Sequence, residues 1–392
     1  VELELQLLDQ DSLALTGGSE AILAEMPEAY RDAAKPEFHD CCVEINSSVC
    51  KDVAQVEQDF IPKLAAMESV ARRRGVLLGW AGTHPFSHWR DQAIVANPRY
   101  AKLAQRFQET LARQVTFGLH VHVGVPDGDA AVRVCNGIAE YLPVLLALSV
   151  NSPFWCGRQT GLHSHRADVL RASPTSGLPP RMRDWTDYAR LVKRHISAGL
   201  IDSAKELWWD VRPSPEYGTV EVRVCDMPAD LASVLGLTAL IQCLVVDLGQ
   251  SSGRQPALDD CVLAIIRQNL WLAGRFGLGA GLIDVHSGLE VPARDVAKQL
   301  AERLHEISCD LGCAAQLRLV DAMASAPSGA ARQLEIFART GDLAEVVRRQ
   351  IVRPASATPR GPEHPGAVGT AMEIMSGQSR SLPTLVTNMS VK

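Results

Sequence analysis

The chain has 392 residues, 46% of them hydrophobic and 21% charged, with 45 acidic against 39 basic side chains for a formal charge of −6. That length and balance supply apolar residues for a large buried core and exclude a small disulfide-stapled scaffold. No basic block and no basic–aromatic interleaving is present, which argues against nucleic acid as a partner.

Taken in chain order, the opening "VELELQL" alternates, so an extended strand places Glu2, Glu4 and Gln6 on one face and Leu3, Leu5 and Leu7 on the other. "CCVEIN" sets Glu44 opposite Val43 and Ile45 in the same way. Residues 52–74 carry Val53, Val56, Phe60, Leu64, Met67 and Ala71 at helical spacing and then meet Gly75, a helix stop. "VLLGWAGTHP" reads as a short buried strand running into a loop, and residues 98–114 are again helical. In the next strand, "FGLHVHVGV", His120 and His122 share the face opposite Leu119, Val121 and Val123. Such a pair is more often hydrogen-bonded structure than a metal or substrate site, so other segments must decide.

Residues 129–150 are helical with Pro143 inside, which removes a donor and predicts a break into two helices. The polar segment 151–184 is too long for a structureless linker and reads as a functional loop. "TVEVRV" puts Glu221 and Arg223 opposite Val220, Val222 and Val224, and the rest to about residue 349 is mainly helical. Strands and helices mix in the first 225 residues and helices follow, which favours α+β over a doubly wound sheet. Residues 1–350 are expected to form a single catalytic domain and 351–392 a loosely structured tail.

The ten cysteines include no C-x-x-C, and scattered thiols fit a reducing, cytoplasmic setting. The longest apolar run, residues 142–150, falls short of the roughly 18 residues of a bilayer span, so no membrane partner is expected. Neither G-x-G-x-x-G nor G-x-x-x-x-G-K-[ST] occurs.

Four strands thus share one pattern, a polar face rich in carboxylates. Each alone could be a solvated face, but carboxylates about 7 Å apart along a strand, joined by Glu44 and Glu221, repel one another, and a divalent cation would relieve this. Oxygen donors with at most one imidazole favour Mg, or Mn, over zinc, and Mg usually shares its shell with substrate phosphates, so a nucleotide is implied. Arg223 would then steady a transferring phosphoryl group, or else pair with a neighbouring Glu. "TGLHSHR" offers His163, His165 and Arg166, the arginine being shaped for a two-point grip on a carboxylate. "ELWWDVRPSPEYG" sets Trp208, Trp209, Asp210 and Arg212 just ahead of the Glu221 strand.

Seven segments in order, "VELELQLLD", "CCVEIN", "GTHPFSHWRDQ" with "NPRY", "FGLHVHVGV", "YLPVLLALSVNSPFWCGRQTGLHSHR", "WWDVRPSPEYGTVEVRVCDMP" and "RQNLWLAGRFGL", resemble the carboxylate–amine ligases of the second glutamate–cysteine ligase family. The resemblance implies a glutamine-synthetase-like catalytic domain, an antiparallel sheet whose concave polar face holds ATP and divalent metal, backed by helices. It implies phosphorylation of glutamate's γ-carboxylate and attack on the acyl phosphate by an amine such as that of cysteine, to give γ-glutamylcysteine, ADP and phosphate. Carried over by motif, Glu2, Glu4, Glu44, His120 and Glu221 form the metal shell, Arg223 and Glu221 serve catalysis, and Arg212 with Arg223 faces the nucleotide. His122 looks toward the amino acids, Arg166 anchors a substrate carboxylate, Arg275 is a candidate for a similar task, and Trp155 and Trp209 line the pocket. Partners on this reading are amino acids and ATP, with a homodimer allowed. His163 and His165 depart from the family pattern and put the amine pocket in doubt. Two other readings share the architecture: phosphoryl transfer to a guanidino or amine substrate, and a silent nucleotide- or amino-acid-binding protein.

Overall fold

The alternating strands assemble into one antiparallel sheet. In the computed structural model, which describes residues 1–250 and 260–351, its strands are β1 (Glu2–Asp9), β2 (Ala34–Pro36), β3 (Cys42–Asn46), β4 (Val76–Gly79), β5 (Leu119–Gly124), β6 (Val211–Ser214) and β7 (Thr219–Val222). They lie in the order β6–β7–β5–β1–β3–β2, with β4 pairing the second half of β1. Register brings the polar residues side by side: Glu2 opposite His120, Glu4 opposite Glu44, Lys35 opposite Glu44, Glu221 opposite both His122 and Arg212.

The other face is the core. Leu3, Leu5, Leu7, Val43, Ile45, Leu119 and Val220 have no exposed surface, and a fully buried side chain of this size contributes about 1.5–3 kcal/mol. Helices α1 (Val53–Arg73), α2 (Pro98–Phe107), α3 (Glu109–Ala112), α4 (Gly128–Ile138), α5 (Leu142–Ser149), α6 (His165–Arg171), α7 (Leu231–Gln250) and α8 (Asp260–Phe276) cover the sheet and one another. Asp52 caps α1 by accepting from the Gln55 N–H at 2.9 Å, and Gly75, at φ 72°, ends it as its position predicts. Pro143 falls in the first turn of α5, where no donor is needed, and the break precedes it at residues 139–141.

Three expectations are corrected. The helix over 98–114 is interrupted at Gln108, whose φ of 48° is incompatible with helix, and this turns Leu111 and Gln114 toward the cavity described below. The polar segment 151–184 is partly regular, since it contains α6. Stretches long and apolar enough by length and composition to cross a membrane do exist, Gly128–Ser149 and Leu231–Gln250. The apolar side chains of α7, among them Val234, Leu237, Leu240 and Leu244, are buried against α1 and α4, as in the core helix of a globular fold. The described residues all fall in one unit, and the expected loose tail, from 352 on, lies outside the described residues.

Candidate active site

The polar face floors a cavity of about 540 Å³, within the size range of small-molecule sites. Two triads of potential ligand side chains lie in it, Glu2–His122–Glu221 and Glu4–Glu37–Glu44, each with ligating atoms all within 4.8 Å of one another.

The first triad is braced by cations from the protein itself. Arg212 grips Glu221 at two points, Nε to Oε2 at 2.7 Å and Nη2 to Oε1 at 3.2 Å, while its Nη1 donates to the Lys205 and Leu207 carbonyls, both at 2.9 Å. Arg223 donates to the same carboxylate. Burial alone would raise the Glu221 carboxyl, but Arg223 and Arg212 outweigh it and hold it well below the usual range. Glu2 likewise overcomes burial, through a hydrogen bond with His120 and the His122 imidazole nearby. His122 Nδ1 bonds the Thr219 hydroxyl at 2.9 Å, which leaves its Nε2 facing Glu2 at 3.3 Å and Glu221 at 3.9 Å.

The second triad has no such bracing. Glu44, 2% exposed, has one cationic partner among the described residues, the half-exposed Lys35 at 2.8 Å. Burial, then the neighbouring Glu37 and Glu2, push the Glu44 carboxyl far up. Burial also raises Glu37, and it lifts Glu4 to about 7 despite Arg166 nearby and a 2.5 Å hydrogen bond from the Gly118 N–H. His120 lies between the triads, with Nδ1 at 3.0 Å from Glu2 and Nε2 at 3.8 Å from Glu4. Burial, aided by Arg223, depresses His120 to about 3, so it is a neutral imidazole.

Of the expected site residues, Glu2, Glu4, Glu44, His120, His122, Arg166, Arg212, Glu221 and Arg223 all line the cavity. Register sets His122 directly opposite Glu221 and His120 opposite Glu2, so both imidazoles stand among the carboxylates, His122 grouped with Glu2 and Glu221. Arg166, 3% exposed, spends Nη1 and Nη2 on the Val224 and Arg223 carbonyls, both at 3.3 Å, which leaves Nε without a partner. Gly118 makes room for it, since a Cβ there would stand 2.1 Å from Nη2. Arg275 is not among the lining residues and stacks over Phe276, 4.7 Å from the ring centroid. Trp209 lines the cavity, but Trp155 does not, and neither do His163 and His165.

Glu37 and Asp210 were missed as site residues by the alternation. Glu37 follows a three-residue strand ending in Pro36, too short to display a period. Asp210 stood in the quoted Trp-Trp-Asp run, and its pairing with Arg223 emerges only from strand register.

The family model described as "Glutamate-cysteine ligase family 2" matches residues 1–349. A protein provisionally named glutamate–cysteine ligase 2 from Gloeobacter violaceus is 42% identical over 350 residues, covering 88% of this chain and 94% of that one. One so named from Thermobifida fusca is 38% identical over 351 residues, covering 88% of each. Among solved structures, a glutamate–cysteine ligase from Francisella tularensis in complex with AMP aligns with TM-score 0.63 at 14% identity, covering 89% of this chain and 86% of that one. A bifunctional glutathione synthetase from Pasteurella multocida aligns with TM-score 0.64 at 14% identity, covering 89% of this chain and 51% of that one. These two share the fold. With its family model spanning the sheet, both triads and the arginines around them, the chain belongs to glutamate–cysteine ligase family 2 and is an enzyme of the carboxylate–amine ligase class.

Proposed function

We propose that the protein uses MgATP to phosphorylate the γ-carboxylate of glutamate, and that an amine, L-cysteine first among candidates, attacks the acyl phosphate to give γ-glutamylcysteine, ADP and phosphate. The observation that carries this reading is the pair of triads in one cavity with Arg212 and Arg223.

The residues fit divalent cations. Their donors are mostly hard carboxylate oxygens, and the imidazole Nε2 atoms of His120 and His122 are buried without hydrogen-bond partners. Glu2, His122 and Glu221 would hold one ion and Glu4, Glu37 and Glu44 another, with His120 between them. Bound there, the ions would neutralise phosphate charge and polarise the transferring group. The chain's own part is to keep that charge pattern ready. Arg212 holds Glu221 ionised and in place, and Arg223, reaching the same carboxylate, is poised to face the phosphoryl oxygens. The neutral His120 donates to Glu2 and adds no positive charge of its own.

The test is ADP release with Mg, ATP and glutamate across a panel of amines, with hydroxylamine as a trap. Glutamate-dependent hydroxamate formation is expected, with cysteine giving the fastest turnover. No glutamate-dependent ADP release with any amine would overturn the reading, and a stable phosphorylated amine would replace it with a kinase.

A further inference from the structure

A ligase acting on an amino acid must take an ammonium group as well as carboxylates out of water. A buried ammonium is costly unless a carboxylate receives it. Most carboxylates lining the cavity are committed: those of the two triads face one another, and Glu216 is half exposed and pairs with Lys205 at 2.5 Å. Asp210 stands apart.

Its backbone is pinned on both sides. The Asp210 N–H donates to the Gly177 carbonyl and its carbonyl accepts from the Arg223 N–H, both at 2.8 Å, so it extends the β6–β7 ladder as the cross-strand neighbour of Arg223. Alternation then puts it on the face that carries Arg212, Glu221 and Arg223. Its Oδ2 is shut off from solvent and accepts no hydrogen bond, and no guanidinium closes on it to ion-pair distance among the described residues. Arg166, another unsatisfied group lining the cavity, offers the unpartnered Nε and the opposite charge. Burial raises the Asp210 carboxyl, and Arg171, Arg166 and Arg223 counter it from a distance.

We infer that Asp210 receives the α-ammonium group of the amino acid whose side-chain carboxylate is activated, so that the cavity selects an α-amino acid over a simple dicarboxylate. The inference rests on the ligase reading above. Beside Arg223, Asp210 lies one strand spacing from the group expected at the reacting carboxylate, about 5.5 Å between Cα atoms, comparable to the span of a glutamate side chain. Arg166 then meets the α-carboxylate with the edge its carbonyl contacts leave over.

The experiment compares L-glutamate with glutarate, which lacks only the amino group, in wild-type protein and in Asp210→Asn, using MgATP and hydroxylamine. In wild type, kcat/KM is expected to favour glutamate on the order of 100-fold, as sites built to bond a polar group reject an analogue without it. Asp210→Asn is expected to lower the glutamate value by at least about tenfold while leaving glutarate and the KM for ATP nearly unchanged, because only the ammonium contact is lost. A wild-type protein that does not discriminate overturns the inference without any variant. An unchanged ratio in Asp210→Asn, or equal loss on both substrates, overturns it too. If wild type turns over neither compound, the ligase reading has failed, and calorimetry with MgADP present still decides on Asp210. Tighter glutamate than glutarate binding that disappears in Asp210→Asn supports its role, and equal binding of the two by wild type rejects it.

Discussion

Glu221 and Glu44 are buried glutamates on the same sheet face, one in each triad, yet their charge states run in opposite directions. Around Glu221 the protein supplies two guanidiniums, one in two-point contact, and the carboxyl is held ionised. Around Glu44 it supplies one lysine from the rim, and burial with crowding by Glu37 pushes the carboxyl up. Burial is equal in the two places, so the difference is made by arginine. The Glu221 triad is organised by the protein's own cations, whereas on the proposed reading the Glu4–Glu37–Glu44 triad would complete its charge balance with an external cation.

The comparison can be broken most sharply at Glu221. Glu221→Gln keeps the volume and an acceptor for Arg212 but removes the charge, and turnover is expected to fall by about 10² to 10³ with circular dichroism unchanged. Turnover close to wild type would take Glu221 out of the site. Glu37→Gln tests the other side: Mn²⁺ binding, followed by electron paramagnetic resonance on metal-stripped protein, is expected to weaken by about tenfold. Unchanged affinity would mean that the second triad does not hold an ion. A smaller effect is expected from Arg212→Lys, which keeps the positive charge but loses the two-point grip, at about a tenfold cost in kcat/KM for ATP. If lysine serves equally well, charge alone rather than geometry organises the first triad.

Most of the polar face could be read from alternation because a two-residue period is a local property of the chain. Glu2, Glu4, Glu44, His120, His122 and Glu221 all emerge that way. Which histidine meets which carboxylate is a matter of register, set by loops and by distant strands, and period cannot supply it. Glu37 follows a strand of three residues, too short to display a period. Arg166 was legible as a residue of the pocket, but its contacts with the Arg223 and Val224 carbonyls depend on α6 folding back beneath the strand. Arg275 came from resemblance alone, and the fold sends it elsewhere.

A third buried ionisable group sharpens the contrast, since burial keeps it neutral with no cation needed. His84, 1% exposed, places Nε2 at 3.0 Å from the Leu13 carbonyl, so that nitrogen carries the proton, and Nδ1 accepts from the Ser87 N–H at 2.9 Å. Protonating Nδ1 would turn an acceptor into a donor aimed at another donor, and burial depresses the ring to about 4. Between the ordinary value near 6.5 and that depressed value, the unfolded chain binds a proton that the folded chain refuses. The His84 contribution is therefore complete above pH 6.5, shrinks as pH falls, and is lost by pH 4, a change of roughly 3 kcal/mol. His84→Gln is expected to be less stable at pH 7 but to lose less stability on acidification, as read from urea unfolding at a series of pH values from 7 to 4. Parallel curves for the two proteins would show that His84 is protonated within the fold.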